Sequence, residues 1–117
     1  MSVKLSTRQV GDVSVVDVAG RITLGEGSSA LRDLLREMVG KGQKKILLNL
    51  GEVHYIDSSG IGELVSAFTS MRSQGGELKL LNLTRKVRDL LQITKLHLVF
   101  DIRDDEAAAI QAFSKSA

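Results

Sequence analysis

Residues 44–62 constrain the fold more than any other stretch of this chain. Lys44-Lys45-Ile46-Leu47-Leu48-Asn49-Leu50 is a near-continuous apolar run, the pattern of a central strand covered on both faces. Val53, Tyr55 and Ile56 carry it to Asp57-Ser58-Ser59-Gly60. From Ser59 to Ser73, Ile61, Leu64, Val65, Phe68 and Met71 then fall on one helical stripe. A strand that turns directly into a helix aims the helix's unpaired N–H groups and positive dipole end at Asp57 and Ser58.

The flanking sequence repeats this alternation. Residues 3–10 and 13–19 read as strands joined in a hairpin at Gly11-Asp12, dense in β-branched residues. Gly25, Gly27, Ser28 and Ser29 lead into a helix over 28–40, with Leu31, Leu34, Leu35, Met38 and Val39 on one face and Gly40 or Gly42 at its end. Gly62 and Ala67 are expected to let the next helix approach its neighbours closely, and Gly75-Gly76 ends it. Leu78, Leu80, Leu81 and Leu83 form a short strand and its exit. Thr84 caps a helix carrying Val87, Leu90, Leu91 and Ile93. A last strand is expected at 97–101 and a helix at 104–114, started by Asp104, Asp105 and Glu106. The order predicts one α/β domain over 1–117: a small mixed sheet with a parallel portion, and helices packed mainly on one face.

Composition removes several functions. The chain has 117 residues and no cysteine, so disulfides and thiol chemistry are excluded. No apolar stretch reaches membrane-spanning length, and the expectation is a cytoplasmic protein with no membrane or direct nucleic-acid partner. The formal charge of +2 is spread over scattered residues, and Tyr55, Phe68, Phe100 and Phe113 are the only aromatics. Nucleic-acid surfaces concentrate cations and stacking rings instead. Lys41, Lys44 and Lys45 read as solvating a strand entrance, and Arg85, Lys86 and Arg88 as the outer face of a helix.

Two readings fit Asp57-Ser58-Ser59-Gly60. In the first, Asp57 caps the helix, Ser58 or Ser59 satisfies another N–H, and the glycines serve packing. In the second, one hydroxyl stays accessible. Phosphorylation of Ser58 would add about −1.5 to −2 charge beside Asp57, held at the helix N-terminus without unfolding. A docked acidic or tightly packed partner would then lose affinity.

Lys45-Ile46-Leu47-Leu48-Asn49-Leu50, Val53, Ile56-Asp57-Ser58-Ser59-Gly60-Ile61-Gly62 and Leu64 resemble the strand–loop–helix signature of the bacterial STAS family, specifically its anti-sigma factor antagonists. Gly75-Gly76-Glu77-Leu78 and Val87, Leu90 and Leu91 are similar to its downstream layout. The resemblance implies a noncatalytic domain without a cofactor, working by partner switching in transcription regulation. It implies Ser58 as the phosphorylated serine, Asp57 as the acidic residue shaping kinase recognition, and Ser59 and Gly60 as the helix start at the interface. The implied partners are an anti-sigma factor with ATP-dependent serine kinase activity and a serine phosphatase that resets the cycle. The chain departs from the pattern after its second strand. There Arg21 and Thr23 stand in a partner-facing segment that is acidic in many relatives.

An enzyme built on His54, Asp57 and Ser58 is the first rival, but nothing in the spacing makes the three converge. His54 and His97 do not form a metal motif, and Gly25-Glu26-Gly27 and Gly60-Ile61-Gly62 lack the glycine spacing and lysine of a nucleotide loop. The stronger rival is a noncatalytic STAS scaffold within another signalling or lipid-transport assembly.

Overall fold

The computed structural model describes residues 3–113. Five strands form one sheet in sequence order: β1 (Val3–Val10), β2 (Val13–Ile22), β3 (Lys45–Ile56), β4 (Glu77–Leu81) and β5 (Asp101–Arg103). β1 and β2 pair antiparallel through a hairpin turned at Gly11, where φ is 62°. Every later pairing is parallel. The sheet is mixed with a parallel portion, as expected.

Helices α1 (Glu26–Gly40), α2 (Ser58–Ser73) and α3 (Arg85–Ile93) link successive parallel strands. Each crossover steps one strand over in the same direction, so a constant handedness places all three on one face. There Val16, Val18, Ile46, Leu48, Leu50, Leu78 and Leu80 of the strands pack with Leu31, Leu35, Leu64, Met71, Val87 and Leu91 of the helices. The alternate strand residues Val13, Val15, Leu47 and Leu81 point the other way and meet Ala109 of the short α4 (Glu106–Gln111) and Phe113. Residues 46–48 are all apolar because both faces of that strand are covered. Among the described residues no helix is long and apolar enough to cross a membrane.

Some boundaries differ from those expected. β2 continues to Ile22, because register shifts between Asp17 and Ala19 and between Gly20 and Arg21 let it keep pairing with β3. α1 starts two residues early, at Glu26. The strand expected at 97–101 is instead a 3₁₀ turn over Leu96–Leu98, entered through left-handed Lys95, and only Asp101–Arg103 pairs with β4. The chain is already turning here, which leaves Leu98 and Val99 exposed despite their strand-like composition. α4 is capped by Asp105, whose carboxylate accepts from Ala108 N at 2.9 Å, rather than beginning at Asp104. The part of that helix expected at residue 114 lies outside the described residues. Ile93 ends α3 but is 78% exposed rather than part of its buried stripe. A Cβ on Gly62 would meet nothing, so that glycine is not a close-packing residue.

On the second face, Arg8 binds Asp17 on β2 and Glu106 at the start of α4, at 2.7 and 2.6 Å. Asn49 adds a hydrogen bond to Asp17. Arg8 holds both carboxylates below their ordinary range. The pairs are partly solvated, so their worth is modest. Arg8→Met is expected to lower unfolding free energy by about 1 kcal/mol in urea titration and to speed hydrogen exchange in α4. The carboxylates' folded pKa values are lowered, so the effect is full at neutral pH and shrinks as acid protonates them.

Candidate functional site

The parallel register brings the ends of β2 and β3 level, with Ile22 opposite Ile56. β4 stops at Leu81, opposite Asn49. The remaining half of β3 is flanked by α3, whose cap residue Thr84 donates its hydroxyl to the Val53 carbonyl at 2.9 Å. The first turns of α1 and α2 and one side of α3 therefore converge beyond the carboxyl ends of the strands. In open α/β sheets this is where binding sites form.

Asp57 ties this edge together. Its extended backbone makes it the N-cap of α2, and its own N–H donates to the Ile22 carbonyl at 3.2 Å. One carboxylate oxygen accepts from Gly60 N at 3.0 Å and from the Ser59 hydroxyl at 2.7 Å; the other accepts from Leu24 N at 2.9 Å. The Ser59 hydroxyl, then the Leu24 and Gly60 N–H groups, hold the Asp57 pKa down at about 2. Such a carboxylate is ionised at neutral pH and a poor proton acceptor.

The two serines divide the roles left open by the sequence. Ser59 is half-buried and its hydroxyl is committed to Asp57. Ser58 is exposed at the first helical position, and its hydroxyl makes no hydrogen bond among the described residues. Gly60 is buried because nothing larger fits. A Cβ there would stand 2.6 Å from both the Ile22 carbonyl oxygen and Ile56 Cγ1. At Gly27, in the first turn of α1, a Cβ would stand 2.6 Å from the Arg21 carbonyl oxygen. Two glycines thus let two helix starts press on the same end of β2.

Arg21 and Thr23 lie on this edge as well. The register sets Arg21 opposite Tyr55, with its guanidinium carbon 4.8 Å from the ring centroid. The Thr23 carbonyl accepts from Ser28 N at 2.9 Å as the chain enters α1. His54 is exposed on β3 and bonds to neither Asp57 nor Ser58, whereas His97 Nδ1 lies 3.4 Å from the Leu91 carbonyl. The three residues of the enzyme rival do not assemble.

Other participants have no place in the sequence motif. Leu24 contributes a backbone N–H and an 80% exposed side chain. Lys86, Asp89, Leu90 and Ile93 of α3 form a groove of about 420 Å³ with Tyr55, Asp57 and Ser58. The burial of Val87 and Leu91 turns Lys86 and Ile93 toward this edge. The helical stripe alone could have signalled that rotation, but not what it faces.

Residues 4–109 match the STAS domain family, and the chain belongs to that family, a class of regulatory, noncatalytic domains. It is 31% identical to the anti-sigma-B factor antagonist of Bacillus subtilis (strain 168) over 111 residues, covering 95% of this chain and 100% of that one. Among solved structures, a Thermotoga maritima protein described as a candidate anti-sigma factor antagonist superposes with a TM-score of 0.88 at 27% identity, over 95% of both chains. SpoIIAA, at 20% identity over 92% of this chain, shares the fold in its unphosphorylated and phosphorylated forms, with TM-scores of 0.72 and 0.74 and 96% and 97% of those chains covered.

Gly60→Ala is expected to cost about 1–3 kcal/mol by overpacking, whereas Gly62→Ala, in open space, raises stability by up to about 1 kcal/mol; urea titration of both variants measures the contrast. In an acid NMR titration, the Leu24 and Gly60 amides should move together with a midpoint near 2, following Asp57. Because the folded pKa lies below the ordinary 3.8, the carboxylate's contribution to stability is complete above that range and disappears as pH falls toward 2.

Proposed function

We propose that this protein is an anti-sigma factor antagonist that works by partner switching, with Ser58 as its phosphorylation site. In the unmodified form the edge around Asp57, Ser58, Ser59, Gly60, Arg21 and Thr23 captures an anti-sigma factor, which releases its sigma factor. That anti-sigma factor is also an ATP-dependent serine kinase. Its transfer of a phosphoryl group to Ser58 dissolves the complex, and a serine phosphatase restores the unmodified form.

The observation that carries this reading is the difference between the adjacent hydroxyls. Ser58 is exposed and uncommitted, while Ser59 is engaged by Asp57. A kinase can reach the first without breaking the helix cap. In the transfer the Ser58 oxygen forms the new P–O bond, the bond to the β-phosphate oxygen breaks, and ADP leaves. The serine proton must go to a base supplied by the kinase, because Asp57, held near pKa 2 by three donors, is a poor acceptor. This fits a domain that is modified rather than one that catalyses.

Release follows from charge. The phosphate adds about −1.5 to −2 to a surface that already carries Asp57, and the first turn of α2 accommodates it. The domain does not have to refold for its partner to lose complementarity. SpoIIAA, which keeps the same fold in its phosphorylated form, is a parallel for this.

Incubation with ATP and the host's anti-sigma factor kinase, followed by peptide mapping, should place the phosphate on Ser58 and leave Ser59 unmodified. Calorimetry against the same protein should show at least tenfold weaker binding after modification, equivalent to about 1.4 kcal/mol, while Ser58→Ala binds whether or not ATP is present. Phosphate confined to another residue would refute the site. A complex indifferent to phosphoserine at position 58 would favour the scaffold role instead.

A further inference from the structure

Two cations share one aromatic ring beside Ser58. Arg21 lies 4.8 Å from the Tyr55 centroid, and Lys86 Nζ, arriving from α3, lies 5.5 Å from it. Neither forms an ion pair among the described residues, whereas Arg8, Arg88 and Arg103 each stand within 3.1 Å of a carboxylate. The two differ in what else they face. Lys86 lines the groove that Ser58 also lines; Arg21 does not.

An ammonium resting over an exposed tyrosine is held weakly and can be drawn away by a stronger anion. The other charged groups lining the groove are Asp57 and Asp89, and both repel a phosphate. Asp57 cannot turn aside, because its two oxygens are fixed by Leu24, Ser59 and Gly60. Lys86 is therefore the one cation among the groove's lining residues able to meet a phosphate on Ser58, through a charge-assisted N–H···O contact.

We infer that Lys86 is the intramolecular ligand of phosphorylated Ser58: it leaves the Tyr55 ring and bridges the groove from α3 to the start of α2. This rests on Ser58 being the modified residue and adds a second consequence to the modification. The bridge lies across the apolar wall formed by Leu90 and the 78% exposed Ile93. Phosphorylation then both adds charge and closes a surface that a partner could occupy. Arg21 remains on Tyr55, free to keep contributing in either state.

The test uses phosphoserine installed directly at position 58 of the full chain, so it does not depend on any kinase. Phosphorus NMR titration should give a second phosphate pKa about 0.5–1 unit lower in the otherwise wild-type protein than in Lys86→Met. Lys86→Arg should restore the low value. The Tyr55 ring resonances should move on phosphorylation in the wild-type background and stay still in Lys86→Met. Arg85→Met, an exposed neighbour outside the groove, and Arg21→Met should leave the phosphate titration unchanged. Equal titration in wild type and Lys86→Met would overturn the inference, as would shifts of equal size from Arg85→Met or Arg21→Met. A cell in which Ser58 is never modified would refute the proposed function, yet leave the measured phosphate–lysine contact intact.

Discussion

The carboxylate of Asp57 joins two chain segments that share no other side-chain hydrogen bond at this edge among the described residues. It caps α2 through Gly60 N and Ser59, and it holds the loop before α1 through Leu24 N. Without it, the N-terminus of α2 would keep an unsatisfied donor and the loop carrying Leu24 would lose its anchor. The exposure of Ser58 is a by-product of this arrangement. Asp57 and Ser59 absorb the polar needs of the helix start, so the residue between them has no structural task.

Close backbone approach makes that short span possible. The two helix starts pack on Ile22 and its neighbours only because Gly27 and Gly60 have no Cβ to place 2.6 Å from a β2 carbonyl oxygen. A glycine in a first helical turn costs backbone entropy, and here the cost is offset by the geometry it allows. The site is therefore rigid where Asp57 holds it and open where Ser58 and Leu24 project.

Much of this could be read from residue patterns, and the failures have physical causes. The apolar run at 46–48 and the stripe from Ile61 to Met71 reported a doubly covered strand and a packed helix, because burial imposes their periods. Asp57 as a cap followed from helix-terminus chemistry, which left open whether Ser58 or Ser59 keeps a free hydroxyl. Gly60 and Gly62 looked equivalent, since spacing cannot say which one faces a neighbouring strand; only Gly60 does. Residues 97–101 have strand composition, yet Lys95 turns the chain and leaves Leu98 and Val99 on the surface. The Arg21–Tyr55 contact depends on β-bulges in β2–β3 register, and Lys86 arrives from a helix distant in sequence. Neither relation has a local signature.

Charge placement at this edge suits the proposed switch better than catalysis. A carboxylate that takes a serine's proton directly needs an elevated or ordinary pKa and a free oxygen. Three donors push Asp57 the other way, to about 2. Its negative charge is thus constant across physiological pH. In the proposed switch, a charged group added to the exposed, uncommitted Ser58 hydroxyl changes this edge instead. On that proposal, a fixed charge beside a modifiable hydroxyl gives a two-valued surface, set by the kinase and phosphatase rather than by the surrounding solvent.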